Sequence, residues 1–531
     1  MEIPFVGGHY LGRSSNVNAQ VCQNLYPVVD KQGGKALSLV GTPGLKFFSQ
    51  YIDTTEHKLS GKIKLSGSVT GVGEKVDVIV IAGETFCIRF PLGTTHSTDV
   101  DLTEEEESTA AVAAAAKECR GLHIMGAYLY AVIGIDVFRV SPDGKMTLMK
   151  GGLNTYQGPV WMEDNGTQLM IVDGTYGYIL TGTTLSQITD TDFPTPSSLT
   201  YQDGYFIVSK KDTGRFYISD SYNGTAWDAL DYATAEAYPD NLQVAISAHR
   251  ELWLLGKESF EVWYNSGDAT FPFERTPGAV NRLGCIAPHS AAQHRGTVVW
   301  LDNFRQVQAS NGYQAEKIST EQIDFQISEL TAVTDAISYI YSQEGHTFYV
   351  LTFPSCNKTF SYDFVTGVWH TRASGPFDLR HPANCYAYFE GMHIVGDYGS
   401  GKLYKYDLST YDDDGVELRR VRAAQAVRAD RKVVFHSSLE VEFEGGMGLA
   451  VDHPDIDSGD DPQAMLQWSD DGGHTWSNEH WTDIGRIGKY KTRAIWRRLG
   501  SSRDRVYKVT VSDPVKVVIL GAYLEANSGA A

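Results

Sequence analysis

From about residue 69 to residue 410 one pattern recurs: a short run of β-branched and aromatic residues, a turn of Gly, Asn or Asp, and a second run. LYAVIGIDVFRV, YFIVSKKDTGRFYIS, LWLLGKESFEVWY and HIVGDYGSGKLYKYD are examples. Alternation with period two, interrupted by turn residues, predicts β-hairpins. With Leu122, Val160, Leu199, Leu242, Ile286, Val333 and Cys385 as equivalent starts, the spacings are 38, 39, 43, 44, 47 and 52 residues. A repeat of about 40–50 residues is that of a four-stranded propeller blade, and such blades bury both faces only against neighbours around a ring. A further unit near Val69, containing KVDVIVIAGETFCIRF, would bring the count to seven or eight.

The pattern is interrupted at DLTEEEESTAAVAAAAKEC, Asp101 to Cys119. Acids at its start and Lys117 near its end complement a helix dipole, so a helical insertion is expected within residues 94–118. Beyond about residue 411 the texture changes to ELRRVRAAQAVRADRK, an acidic loop VDHPDIDSGDDP, and strands ending in VKVVILGAYLEA. The predicted fold class is all-β. An extended N-terminal arm (1–68), pinned by NLYP and GTPGL turns, precedes a β-propeller body of about seven blades (69–410) and a smaller C-terminal β-module (411–531).

Composition agrees with a folded, turn-rich chain: 42% of its 531 residues are hydrophobic, and its 52 Gly are about one residue in ten against a usual share of about 7%. With 45 Lys+Arg against 65 Asp+Glu the net charge is −20, which opposes strong non-specific binding to DNA. The longest apolar runs, Ala110 to Ala116 and Val517 to Leu520, fall far short of the roughly 18 residues of a membrane helix, so no integral span is expected. The opening Met-Glu-Ile-Pro-Phe lacks a basic region followed by an apolar stretch, which points to synthesis in the cytoplasm. Six cysteines (22, 87, 119, 285, 356 and 385) never lie closer than 29 positions apart, which excludes a CxxC motif and favours reduced, buried thiols.

Several segments invite a chemical reading. Ser469, Asp471, Gly473, Thr475 and Trp476 complete an Asp-box pattern whose mechanics are those of a hairpin turn: a carboxylate over turn amides, a glycine at positive φ and an indole beneath. Gly396 to Lys402 has the Gly and Lys spacing of a phosphate loop, but Leu403 replaces the magnesium-binding hydroxyl and strands flank both sides, so a blade turn is expected. Between Arg486 and Lys508 stand nine basic residues and one acid, with Tyr490, Trp496 and Tyr507 interleaved. Arg493, Arg497, Arg498, Arg503 and Arg505 are candidates for contact with an acidic neighbouring subunit or with DNA. Asp452, Asp455, Asp457, Asp460 and Asp461 match no EF-hand spacing and read as a solvated loop. His370 and His381 lack a third ligand, and no G-x-S-x-G or H-E-x-x-H motif is present, so no catalytic residue, metal site or cofactor is assigned.

Asn24-Leu25-Tyr26-Pro27 followed by Gly41-Thr42-Pro43-Gly44-Leu45 resembles the opening of the tail nozzle, or packaged-DNA stabilisation, proteins of short-tailed bacteriophages. The likeness continues through Phe271 to Arg275, Gly284 to Ala287, Lys317 to Thr320, Phe360 to Asp363 and Val368 to His370. It extends to Trp496 to Gly500 and Ser502 to Asp504. The resemblance implies a virion protein of the tail, not an enzyme: a homohexameric ring with a propeller body, docked on an adaptor ring below the portal and supporting tailspikes or fibres. It also implies that this nozzle closes the channel on packaged double-stranded DNA and opens for ejection. Part of the excess negative charge is expected to face that channel, where it would repel phosphate, and the cluster Glu104, Glu105, Glu106 and Glu107 is the candidate for lining or gating it. The alternative is a virion-associated propeller that binds or hydrolyses glycans, suggested by the Asp box; a single such box and no arginine and Tyr–Glu constellation count against it.

Overall fold

The computed structural model describes residues 2–15, 18–29, 38–51, 117–429, 432–446, 461–486 and 488–529. Backbone alone is described for 36–37 and for short strands at Ile63–Lys64, Val76–Ile81, Glu84–Arg89 and Asp99–Val100. Seven four-stranded antiparallel blades form the body. Their first strands are Cys119–Met125, Trp161–Asp164, Pro196–Gln202, Leu242–Ala248, Ala292–His294, Ile337–Gln343 and Ala383–Phe389. Each first strand lies beside the next, and the seventh lies beside the first, so the ring is closed.

Period-two alternation explains why the blades stack. On the second strand of the fifth blade, Val298 and Trp300 pack towards the fourth blade while Val299 and Leu301 pack towards the sixth. Every one of the seven seams has its own apolar cluster built this way. A fully buried side chain of this size contributes roughly 1.5–3 kcal/mol, so each seam is a substantial adhesive surface. The first two strands of a blade are joined by tight turns with two positive-φ residues, such as Asp203-Gly204, Glu344-Gly345 and Glu390-Gly391, whose twist matches the flanking strands. The fourth blade uses His249-Arg250 instead, at φ 54° and 62°. Arg250 pairs with Asp203 of the third blade (2.9 Å), and the His249 ring lies over Gly296 of the fifth, where a Cβ would come within 1.7 Å of it.

The seventh blade takes only three strands from its own segment; the outer one, Gly44–Ser49, comes from the N-terminal arm and pairs with Leu403–Asp407. The C-terminal module is a two-sheet sandwich around Leu439, Val441, Leu466, Trp496, Tyr507 and Leu524. The arm enters it as well. Glu2–Ile3 and Ala36–Gly41 pair with Val518–Ser528, and Ala19–Gln23 pairs with Arg420–Ala423 while touching Val368–Ser374 of the sixth blade.

The ring of blades begins at Cys119. Among the described residues, Val76–Ile81 and Glu84–Arg89 pair with each other and with no strand of the ring, so the extra unit expected near Val69 is a hairpin there and the described blades number seven. The expected helix falls on residues outside those described up to 116, and Cys119, its anticipated end, already belongs to a strand.

Candidate functional site

Three places combine polar chemistry with a position that matters to the whole molecule: the axis of the ring, the arm junction and the outer face of the sandwich. At the axis, Trp161 of the second blade stacks on His289, which precedes the fifth, with ring centroids 4.7 Å apart. Those blades stand on opposite sides of a seven-membered ring, so this contact crosses the hole. On the side of the first, sixth and seventh blades the contact borders a cavity of about 200 Å³ lined by Arg120, Trp161, His289, Tyr339, Asn384 and Tyr386 among others. That is smaller than the roughly 300–1,000 Å³ of a drug-sized ligand site, and far too small for a duplex. Arg120 is no free cation here, because it donates to the carbonyls of Gly134, Thr155 and Gly158 at 2.6–3.0 Å. Burial lowers the His289 pKa to about 4, so the ring is neutral against the indole at neutral pH.

The junction is organised by Asn24, in the left-handed region at φ 52° and 1% exposed. Its Nδ2 donates to the carbonyls of Ala373 (2.8 Å) and Arg419 (2.7 Å), and its Oδ1 accepts from the Ala373 amide (3.0 Å). One side chain thus ties the arm to the sixth blade and to the strand entering the sandwich. Arg422, fully buried, donates to the carbonyls of Phe5 (2.6 Å) and Gly8 (2.8 Å) and to Gln20 Oε1 (2.8 Å), so the arm wraps it. Nearby Arg420 is also buried, and desolvation lowers its pKa to about 10 while lifting that of buried Asp413 to about 7. The basic stretch after residue 411 is therefore partly interior: Arg420 donates to the carbonyls of Leu418 and Tyr411, and Arg422 holds the arm.

In the sandwich, Asp471 accepts from the amides of His474 (3.0 Å) and Thr475 (2.9 Å) and from the hydroxyls of Ser469 and Thr475 (2.6 Å each). These bonds hold its carboxyl well below the usual range. Gly473 sits at φ 98° against Ala19 of the arm, and Lys508 Nζ lies 4.1 Å over the Trp476 ring. The Asp box is thus a hydrogen-bonded turn.

The basic candidates separate. Arg493 is exposed and bidentate to Glu440, with Nε at 2.6 Å; Arg497, Arg498 and Arg503 are exposed, and Arg498 has φ 62°. Exposed Trp481 and Tyr490 (53% and 74%) belong to the same module. Arg505 does not reach a surface. It is 2% exposed, paired with Asp470 at 2.6 and 2.7 Å, bonded to the Leu499 carbonyl and set against Trp468, so the expectation of a subunit or DNA contact there is corrected. Glu104, Glu105, Glu106 and Glu107 lie outside the described residues, as do Asp452, Asp455, Asp457 and Asp460; Asp461 is described and stands 3.8 Å from Lys489. The Gly396 to Lys402 segment is a hairpin turn in which Asp397 accepts from the amides of Gly399 (3.2 Å) and Ser400 (2.6 Å). His370, against Tyr26 and Phe348, and His381, against Tyr406, are both buried beside one aromatic cluster, and among the described residues no group of three His, Cys, Asp or Glu could hold a metal. Among them, too, no helix is long and apolar enough to cross a membrane.

No curated protein matches the chain by sequence. Solved structures that resemble it include the computationally designed Ika8 protein (9% identity, 55% of this chain and 96% of that one, TM-score 0.35). The Pan2 WD40 domain of Neurospora crassa (8%, 54% and 88%, 0.36) and BamB from Moraxella catarrhalis (9%, 66% and 96%, 0.35) are others. Residues 112–411 match the phage-stabilisation family described as Bacteriophage P22 Gp10, beta-propeller, and residues 419–527 match Bacteriophage P22 Gp10, beta-sandwich. The two matches cover, in order, the blades and the sandwich apart from the strands that the arm lends them, and the chain belongs to the bacteriophage P22 Gp10 family of phage tail-stabilisation proteins, structural components of the virion tail.

Proposed function

We propose that six copies of this chain form a ring at the distal end of the tail, closing the DNA channel until ejection. The observation that carries this reading is the plugged axis. With Trp161 stacked on His289, the propeller's own hole cannot pass a duplex, so any conduit must lie between copies. Head-to-tail contacts that close a ring provide such an opening without an active site. In this reading the arm (1–68) faces an adaptor ring, the propeller region (69–410) forms the wall, and the sandwich (411–531) meets neighbours, tailspikes or fibres. Arg493, Arg497, Arg498 and Arg503 are the contacts to an acidic neighbour or to passing DNA, and Glu104 to Glu107 line or gate the channel.

Electron microscopy of the purified protein, alone and with candidate portal and adaptor proteins, tests this. Six-fold rings capping the adaptor, with a channel along the ring axis that is closed at its distal end and density continuous through each propeller hole, are expected. Monomers that ignore both partners, or a duplex-wide opening through a single propeller, would refute it.

A further inference from the structure

The seam that closes the propeller carries two thiols side by side. Cys119 opens the first strand of the first blade and Cys385 lies in the first strand of the seventh, 266 residues later, with their sulfurs 3.5 Å apart. Gly396, directly across the ladder from Cys385, makes room for both: a Cβ there would stand 2.3 Å from the Cys119 sulfur and 2.8 Å from that of Cys385. The sulfurs of Cys119 and Cys385 also approach the carbonyls of Gly121 and Cys119 at 4.0 and 3.8 Å, longer than the 3.1–3.4 Å by which those of Cys22, Cys285 and Cys356 reach the carbonyls of Leu25, Ala287 and Ala332. Cys119 is fully buried, whereas Cys385 is half-buried and lines the axial cavity beside Asn384 and Tyr386.

We propose that Cys119 and Cys385 form a redox modification site, converted by a small-molecule disulfide into an intramolecular disulfide that bolts the last blade to the first. Accessibility sets the order of events. The Cys385 thiolate, reached through the axial cavity, attacks one sulfur of the small disulfide and expels one thiolate; Cys119 then attacks the Cys385 sulfur and expels the second. Two protein thiols are oxidised, the small disulfide is reduced to two thiols, and the two protons end on those leaving groups. Burial keeps Cys119 from the small disulfide, so its attack waits for the mixed disulfide on Cys385, and the hydrogen bond to Cys385 and burial, which hold its thiol well above the ordinary range, make that second step the slow one. The sulfurs need to close by about 1.5 Å to reach bonding distance. In a reducing cytoplasm the pair stays as thiols, and the released particle meets an oxidising medium.

The test is to incubate the full-length protein with oxidised glutathione, quench in acid, denature, alkylate and map peptides by mass spectrometry. A cross-linked pair of peptides carrying Cys119 and Cys385 is expected, with both cysteines alkylated after added reductant. The unfolding midpoint of the oxidised protein should rise by about 5 °C, because the link constrains a long loop in the unfolded chain. Cys385→Ser, a change of one half-buried atom, should abolish both effects. Alkylation of both cysteines after oxidation, a glutathione adduct that persists on Cys385, or an equal midpoint rise in Cys385→Ser would each overturn the proposal.

Discussion

Asn24→Ala should release the arm from both domains at once. The substitution removes three hydrogen bonds and leaves the Ala373 amide and the carbonyls of Ala373 and Arg419 without those partners in a buried place. Each buried polar group left unpaired costs about 1–3 kcal/mol, less where water enters. Alanine at φ 52° adds about 1–2 kcal/mol that asparagine largely avoids. Partial relaxation brings the total to about 4 kcal/mol, or a fall of about 1 M in the urea midpoint. Asn24→Gly separates the contributions: it loses the same bonds but accepts the backbone conformation, so it should recover about 1 kcal/mol. Urea unfolding followed by tryptophan fluorescence, with limited proteolysis of the first fifty residues alongside, reads both. A midpoint for Asn24→Ala within about 0.3 M of the parent, or a glycine variant no better than alanine, would refute the reasoning.

Gly296→Ala should cost about 2–3 kcal/mol, because the new Cβ meets the His249 ring and φ is 85°, whereas Gly126→Ala, with open space around it at φ 60°, should cost about 1; thermal midpoints compare them. His289 has a folded pKa of about 4 against an ordinary 6.5, so its contribution is complete above pH 6.5 and is lost as pH falls towards 4. His289→Phe keeps a ring against Trp161 without a titrating group, and should gain on the parent by on the order of 2 kcal/mol between pH 7 and pH 4.5 in urea titrations; parallel pH profiles would remove His289 from the account. Asp471→Ala should speed hydrogen exchange at the His474 and Thr475 amides while leaving the blades unchanged, and unaltered exchange there would show that the carboxylate does not hold the turn.

The ring was legible because its grammar is local. Each unit announces itself by alternating apolar runs and positive-φ turn residues, and the expected starts fall within six residues of the observed first strands. Val76–Ile81 and Glu84–Arg89 carry the same grammar without joining the ring, since a hairpin motif does not specify its neighbours. The fate of Arg505 was also written locally: it shares a face with Tyr507, Val509 and Val511, which are core, and its charge drew attention from that alternation. The contact of Trp161 with His289 had no local signal, because it joins residues 128 positions apart across an axis that only ring closure creates. Nor did the pair of Cys119 and Cys385, which stand 266 positions apart and meet only where the seventh blade closes on the first.

Borrowing the strand Gly44–Ser49 for the seventh blade sets a clock on biosynthesis. Its partner Leu403–Asp407 leaves the ribosome more than 350 residues later, which at about 5–20 residues per second is roughly 20–70 s. For that interval the nascent chain holds a strand without its partner, and by its end six blades whose ends face water, a state open to pairing with another chain on the same messenger. Only when the seventh blade emerges can Gly44–Ser49 find its partner, so that ring closure acts as a checkpoint that chains truncated before Leu403–Asp407 cannot pass.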